Sequence, residues 1–394
     1  MTIEKWLSVI GIGAAGLAEV SQLGRGFIDR ASLVVGGKRH LAMLNDSPQT
    51  RMAWASPIET SIESILTHRG NSVCVLASGD PLCYGIGSTL LKYVSIDEMT
   101  IIPAPSTFSL ARARLGWSFT EVETLSLCGR SPDFLAALLA PNSKLLILSA
   151  GADTPQIVAD LLMRRGYGAS RLTVLEHLGE DRERIITDIA RAWSKSDVAA
   201  LNIIAIACQA DADTTPLNRL PGLPESAYHH DGQLTKREVR AMTLAALAPM
   251  PGELLWDVGA GCGSIGIEWL RSHPRCRAIA IEQHAHRLQF IADNMAALGT
   301  PHLQLVRGIA PAALINLPTP DAIFIGGGVT APGLLDTCWT ALRSGGRLVA
   351  NAVTIESELQ LLQWHQQVGG ELTRIAIQRT QSIGGFLEIG RAHV

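Results

Sequence analysis

The sequence predicts an α/β protein of two successive domains, and three observations predict it. Short apolar, β-branched runs alternate with helical patterns along most of the 394 residues. Two glycine-rich turns of different grammar, Gly11-Ile12-Gly13-Ala14-Ala15-Gly16 and Asp257-Val258-Gly259-Ala260-Gly261-Cys262-Gly263, each follow an apolar run and open into a helical pattern. Between them, residues 211–234 mix prolines, glycines and aspartates without apolar periodicity and read as a linker. The expected domains are therefore 1–210 and 235–394, in keeping with a length that exceeds what one core usually supports.

Composition excludes several classes. With 47% hydrophobic and 18% charged residues, the chain has the balance of a globular protein rather than a disordered one. A formal charge of −3 supplies no basic field for a phosphate backbone, so no nucleic-acid partner is expected. The longest apolar stretches, such as residues 145–151 and 202–208, fall far short of the ~20 residues a membrane helix needs. No export signal precedes the first strand, and a cytoplasmic protein is expected. Seven cysteines (74, 83, 128, 208, 262, 276 and 338) form no C-x-x-C pair or Cys/His ligand cluster, which predicts buried thiols and no metal site.

In the first half, apolar runs at residues 7–13, 32–37, 72–78 and 100–104 suit one parallel sheet. Further runs at 144–150, 172–179 and 202–208 suit a second lobe beginning after about residue 115. Arg130-Ser131-Pro132-Asp133 reads as a helix start, and residues 155–168 as an amphipathic helix ended by glycine. In the second half, Thr235 with Glu238 three positions on predicts a capping box for a helix, followed by strands near 254–259, 276–282, 303–308, 322–326 and 347–353.

A G-x-G-x-x-G turn after a strand first suggests a dinucleotide site, where the glycines admit a pyrophosphate to a helix N-terminus. That reading also wants a carboxylate at the end of the second strand, and here that strand ends in Gly36-Gly37. Ser78-Gly79-Asp80-Pro81 and Gly85-Ile86-Gly87 add flexible turns at strand ends, where open α/β sheets bind ligands. Together with Pro103-Ala104-Pro105-Ser106, this set resembles the tetrapyrrole methyltransferases, a two-lobed α/β family that binds S-adenosyl-L-methionine (SAM) between its lobes. The resemblance implies cofactor binding by Gly11, Gly13, Ser78, Gly79, Asp80, Gly85 and Gly87. Glu176, Gly179, Glu183 and Arg184 look like the second-lobe signature of the family's cobalamin branch. Asp80 is equally suited to capping a helix start, and Glu176 to an ion pair with Arg184.

In the second turn the acid precedes the glycines. Asp257 at a strand end can accept hydrogen bonds from an ammonium or amide group, while Gly259, Gly261 and Gly263 let the chain pass close to a ligand. Glu282, 25 residues on and ending the next strand, is placed to accept both hydroxyls of a ribose. This grammar resembles the class I SAM-dependent methyltransferases, with their doubly wound, Rossmann-like fold. Adenine recognition is then expected near Gly308 and Ala310.

Residues 232–241 and 322–328 further look like the decarboxylating precorrin methyltransferase domains of cobalamin biosynthesis. The resemblance implies SAM-dependent methylation of C-5 and C-15 of precorrin-6B, and loss of carbon dioxide from its C-12 acetate to give precorrin-8. Thr235, Lys236, Arg240 and Gly326, Gly327 and Gly328 are the expected substrate-binding residues, since a substrate bearing many carboxylates calls for cations and backbone donors. A solvated basic face is the alternative for the cations. No acid or base is assigned, and a homo-oligomer is expected. The alternatives are a SAM-dependent methyltransferase of another substrate such as RNA, a dinucleotide-dependent oxidoreductase, and a ligand-sensing module.

Overall fold

A computed structural model describes residues 5–44, 49–383 and 386–392 of the chain. Two compact units emerge: Met1–Arg130 with Pro141–Thr214, and Ser131–Ala140 with Thr215–Val394.

The first unit holds two sheets. Strands β1 (Leu7–Ile12), β2 (Leu33–Gly36), β3 (Thr50–Ala53), β4 (Val73–Ser78) and β5 (Met99–Ile102) form a parallel sheet in the order β3-β2-β4-β1-β5. β1 and β2 are buried along their whole length, as near-continuous apolar runs in a two-sided parallel sheet require. The second sheet is mixed, with β6 (Val122–Ser126), β7 (Lys144–Leu148), β8 (Arg171–Glu176), β9 (Arg184–Ile189) and β10 (Asn202–Ala207) in the order β6-β7-β10-β8-β9. Only β6 and β7 run parallel there.

In the second unit β11 (Leu254–Val258), β12 (Arg277–Glu282), β13 (Gln304–Arg307), β14 (Ala322–Ile325) and β15 (Arg347–Ala350) are all parallel, in the order β13-β12-β11-β14-β15. That is the doubly wound order, which reverses beside the first strand and opens a crevice at the carboxyl ends. Trp256, Ile323 and Leu334 pack one face of this sheet, Leu255, Trp269 and Phe324 the other. β16 (Ile377–Ile383) and β17 (Phe386–Ala392) pair antiparallel as a separate ribbon.

Three expectations change. Leu223, Tyr228 and Leu234, within the expected linker, are buried in the core of the second unit, so the stretch after Thr214 is packed rather than a free tether. The capping box at Thr235 does not form. The helix Arg237–Leu247 is entered through Lys236 without a side-chain cap, and the Thr235 carbonyl is taken by the Arg240 guanidinium. Of the seven thiols expected to be buried, Cys128 is exposed and Cys83 half-buried. The Ser131 start is a short 3-10 helix, Pro132–Ala137, whose first turn is capped by the Ser131 hydroxyl.

Candidate functional sites

In the first unit the carboxyl ends of β1, β4 and β5 are drawn together by backbone contacts. Ile12 O accepts the Gly79 N–H at 2.8 Å, and Gly79 O accepts the Ala104 N–H at 3.2 Å. A Cβ on Gly11 would sit 2.1 Å from Gly79 O and 2.5 Å from Ala104 N, so only glycine permits this junction. Gly13 faces the Glu19 carboxylate: a Cβ there would lie 2.0 Å from Oε2, which also accepts the Ala15 N–H at 3.3 Å. The following α-helix starts only at Gln22, capped by Ser21. A dinucleotide turn would present a helix N-terminus to a pyrophosphate; here the turn closes on an acidic side chain, which repels one.

Beside this junction lies a cavity of about 360 Å3, whose walls include Gly37, His40, Ser78, Asp80, Cys83, Gly85 and Ser106. Of the residues the sequence nominated, Ser78, Asp80 and Gly85 line it, whereas Gly11, Gly13, Gly79 and Gly87 shape the turns around it. Asp80 Oδ1 accepts the Leu82 N–H at 2.8 Å, closing a turn instead of capping a helix; the next helix, Ile86–Leu90, starts from Gly85. Gly85 and Gly87 both crowd the Pro81 carbonyl, with built Cβ distances of 2.6 and 2.8 Å. Burial raises the Cys83 thiol above its ordinary range, which disfavours a thiolate nucleophile.

The second-lobe signature is structural. Arg184 forks onto Glu176 at 2.6 and 3.1 Å, and the Ala199 N–H completes the carboxylate's partners. The Arg184 bond holds Glu176 below the usual carboxylate range. Glu183 accepts from Arg114 and from the Gly179 N–H, tying down the loop.

The second unit opens a cavity of about 1310 Å3 at the carboxyl ends of β11, β12, β14 and β15. Gly259, Gly261, Glu282, Gly308, Ala310, Gly326, Gly327, Gly328, Thr235 and Lys236 all reach its wall. The helix Ser264–Ser272 follows the second turn at once, with Gly263 as its left-handed N-cap. Gly259 has φ +70, and a Cβ there would meet Gly327 N at 2.8 Å, so two strand-end loops touch through glycine.

The two acids differ in surroundings. Glu282 reaches the cavity with Oε2 accepting the Gly261 N–H and Oε1 the His284 N–H, each at 2.9 Å, and retains lone pairs for a diol. Asp257 lies behind the turn, fully buried. Its Oδ2 accepts the Gly266 N–H at 2.9 Å, and its Oδ1 has no hydrogen-bond partner among the described residues. Burial, reinforced by the Glu282 charge, pushes the Asp257 carboxyl up to about 7.

Arg240 corrects an expectation. It is 0% exposed, with Nε 2.6 Å from Glu268 Oε1 and the remaining guanidinium on the Thr235 and Leu223 carbonyls. Glu268 also accepts from the Gly222 and Leu223 N–H groups and from the Tyr228 hydroxyl. The cation is thus consumed in fastening residues 222–235 to the helix Ser264–Ser272 and is not on the cavity wall. Lys236, on the cavity wall, pairs loosely with Glu225 at 3.3 Å.

Two wall residues had no sequence signal. Asn351, just past β15, is held by Nδ2 donating to Thr243 Oγ1 at 3.0 Å. His40, in the first cavity, is buried with Nε2 3.3 Å from Ser78 Oγ. Both stand where a strand end meets a helix, a juxtaposition set by tertiary packing. Among the described residues no group of three or more His, Cys, Asp or Glu side chains could hold a metal ion, and no helix is long and apolar enough to cross a membrane.

Comparison with known proteins agrees with this division. Residues 7–192 match the family of tetrapyrrole (corrin/porphyrin) methylases, and residues 226–393 match the precorrin methyltransferase domain. The chain is 46% identical over 386 residues to a precorrin-6Y C(5,15)-methyltransferase [decarboxylating] of Sinorhizobium sp, covering 98% of this chain and 93% of the relative. It is 42% identical over 382 residues to the protein of the same name from Mycobacterium tuberculosis (strain ATCC 25618 / H37Rv), covering 96% of this chain and 95% of the relative. A shorter relative, the cobalt-precorrin-7 C(5)-methyltransferase of Salmonella typhimurium, is 32% identical over 179 residues, covering 45% of this chain and 88% of its own length. With both parts present in one chain and in this order, the protein belongs to the precorrin-6Y C(5,15)-methyltransferase (decarboxylating) family.

Proposed function

We propose that the chain methylates C-5 and C-15 of precorrin-6B and releases carbon dioxide from the C-12 acetate to give precorrin-8, drawing each methyl group from SAM bound separately in its two units. The observation that carries this reading is the presence of two methyltransferase parts in one chain, each with its own cavity at the carboxyl ends of parallel strands.

The second cavity fits SAM in its donor set. Glu282 keeps free lone pairs for a ribose diol, Gly261 leaves the backbone open to a close ligand, and the orphaned Asp257 Oδ1 suits a nearby positive charge. In the first cavity, Ser78, Asp80 and Gly85 supply hydroxyl, carboxylate and backbone groups at strand ends. SAM supplies an activated methyl on a sulfonium, so the protein's own work is placement and exclusion of water. Lys236 and the loop Gly326–Gly328 line a volume suited to a flat, carboxylate-bearing ring, the lysine offering a cation and the glycines close approach. For the decarboxylation the conjugated ring is the electron sink, and Asn351 and Lys236 offer hydrogen-bond donors at the wall.

The test is incubation of the full chain with precorrin-6B and methyl-labelled SAM, read by mass spectrometry and NMR. Two labelled methyl groups and the loss of one carbon dioxide are expected. In the Glu282→Gln variant one label persists while the other falls by about tenfold or more, the worth of a hydrogen bond to a charged group. A wild-type protein that transfers no label to precorrin-6B would sink the reading.

A further inference from the structure

The first cavity brings a member of the expected SAM set, Ser78, against a buried side chain that the placement of SAM does not use, His40. Ser78 ends β4 with its side chain exposed to the cavity, and His40 stands behind it, only 6% exposed, with Nε2 3.3 Å from Ser78 Oγ. The sequence makes this juxtaposition through the glycines that deny the dinucleotide reading. β2 ends at Gly36, where a Cβ would lie 3.2 Å from the Leu76 side chain, and Gly37 starts the short helix Lys38–Leu41. The missing side chains let that helix settle against β4 and lay the imidazole beside the serine.

We infer that Ser78 and His40 form a proton relay that removes the hydrogen from the macrocycle carbon methylated in the first unit. The inference rests on reading this cavity as a methyl-transfer site. When a ring carbon bearing hydrogen attacks the SAM methyl, the C–C bond forms, the C–S bond breaks and its electron pair stays on sulfur. The ring is left one positive charge richer, with both methyl and hydrogen on one carbon. Ser78 Oγ takes that hydrogen as a proton while passing its own to His40 Nε2, and the C–H electron pair returns to the ring. The imidazolium then gives its proton to water. Ser78 is the group that meets the substrate; His40 acts through it.

The relay needs a neutral imidazole. Burial first, and the Arg39 charge on the same helix second, hold His40 below its ordinary 6.5. The other titratable groups on the cavity wall are Asp80, whose Oδ1 is occupied by the Leu82 N–H, together with Cys83 and Tyr84. None of these has a hydrogen bond to Ser78 Oγ among the described residues, whereas His40 does.

The test uses the full chain, precorrin-6B and labelled SAM in single turnovers, with each labelled position followed by NMR. His40→Gln places an amide near Nε2 that cannot take a proton, and Ser78→Ala removes the hydroxyl from an exposed position without touching the core. Each variant is expected to slow one of the two methylations by about 100-fold and leave the other unchanged, and the double variant to be no slower than the worse single one. The wild-type rate at that position rises with pH along a limb below 6.5 that His40→Gln lacks. Without substrate, the imidazole signal that is missing from His40→Gln titrates below 6.5 by NMR and moves in Ser78→Ala, a readout independent of turnover. Unchanged SAM affinity by calorimetry in both His40→Gln and Ser78→Ala separates the relay from a role in holding SAM or the fold. Wild-type rates at both positions in Ser78→Ala, or a limb that persists in a SAM-binding His40→Gln protein, would overturn the relay. A wild-type chain that methylates nothing would instead overturn the functional reading beneath it.

Discussion

The two glycine-rich turns look alike on paper and are built on opposite principles. At Gly11–Gly16 the glycines serve backbone packing. Gly11 admits the Gly79 carbonyl, Gly13 admits the exposed Glu19 side chain, and the helix waits until Gln22. At Asp257–Gly263 the helix begins at Ser264, three of the glycines have positive φ, and the carboxylates lie inside. Asp257, Glu268 and Glu282 are each 3% exposed or less, against one exposed acid in the first turn. The difference teaches that a glycine motif reports a need for space, and that the neighbouring acids decide what the space is for. In the first unit polar groups reach the cavity from the neighbouring strand, at Ser78; in the second they come from the turn itself and its partner strand.

The largest expected break in this contrast is at Glu268. Arg240→Ala leaves that carboxylate buried without its cation, and removing one partner of a buried pair costs about 3–5 kcal/mol. Differential scanning calorimetry should show the transition of the second unit lowered and that of the first unmoved. A variant with both transitions unchanged would mean that Glu268 is satisfied by Gly222, Leu223 and Tyr228 alone.

Next comes the direct comparison of glycines. Gly11→Ala drives a Cβ into backbone, 2.1 Å from Gly79 O, and should destabilise the first unit by about 3 kcal/mol, the upper range for overpacking. Gly261→Ala meets nothing closer than Gln233 O at 3.6 Å, so only its φ of +60 opposes the change, at about 1 kcal/mol. Chemical denaturation monitored on each unit gives the order. A larger loss at Gly261 than at Gly11 would reverse the assignment of packing to the first turn and openness to the second.

What could be read in the sequence follows the same physics. The buried strands β1, β2, β4, β7, β8 and β10 announce themselves as apolar runs, as do β11, β12 and β14 of the second unit, because strands covered on both faces have no polar side to show. The strands not foreseen in the first unit, β3, β6 and β9, are edges. Thr50–Ala53 is largely exposed, and Arg184–Ile189 has no fully buried residue, so neither carries the pattern that betrays a core strand. Among site residues, Glu282 and the glycines were legible because their spacing is local to one β-α-β unit. Arg240 was misread because its helix face is set by residues 222–228, which looked like a tether. His40 could not be read at all, since its partner Ser78 lies 38 residues away and only the approach of a short helix to β4 joins them.

The sharpest discriminator between the turns concerns protons. Burial holds Asp257 at about 7 in the folded protein against 3.8 in an unfolded chain. Between those values the folded state binds the extra proton, so the stability of the second unit should fall as pH rises from about 4 to 7 and level off above. A cation bound beside Gly259 favours the carboxylate, so SAM binding near pH 6 should release a fraction of a proton from this site. Calorimetric heats in two buffers of different ionisation enthalpy measure that fraction. Asp257→Asn should abolish both the slope and the buffer dependence of the second site, while the first site, whose turn has no buried acid, keeps its own heat unchanged. A wild-type stability curve that is flat from pH 4 to 7 would show Asp257 already ionised in the fold. Its unpartnered Oδ1 would then have to be stabilised by a group other than the ligand.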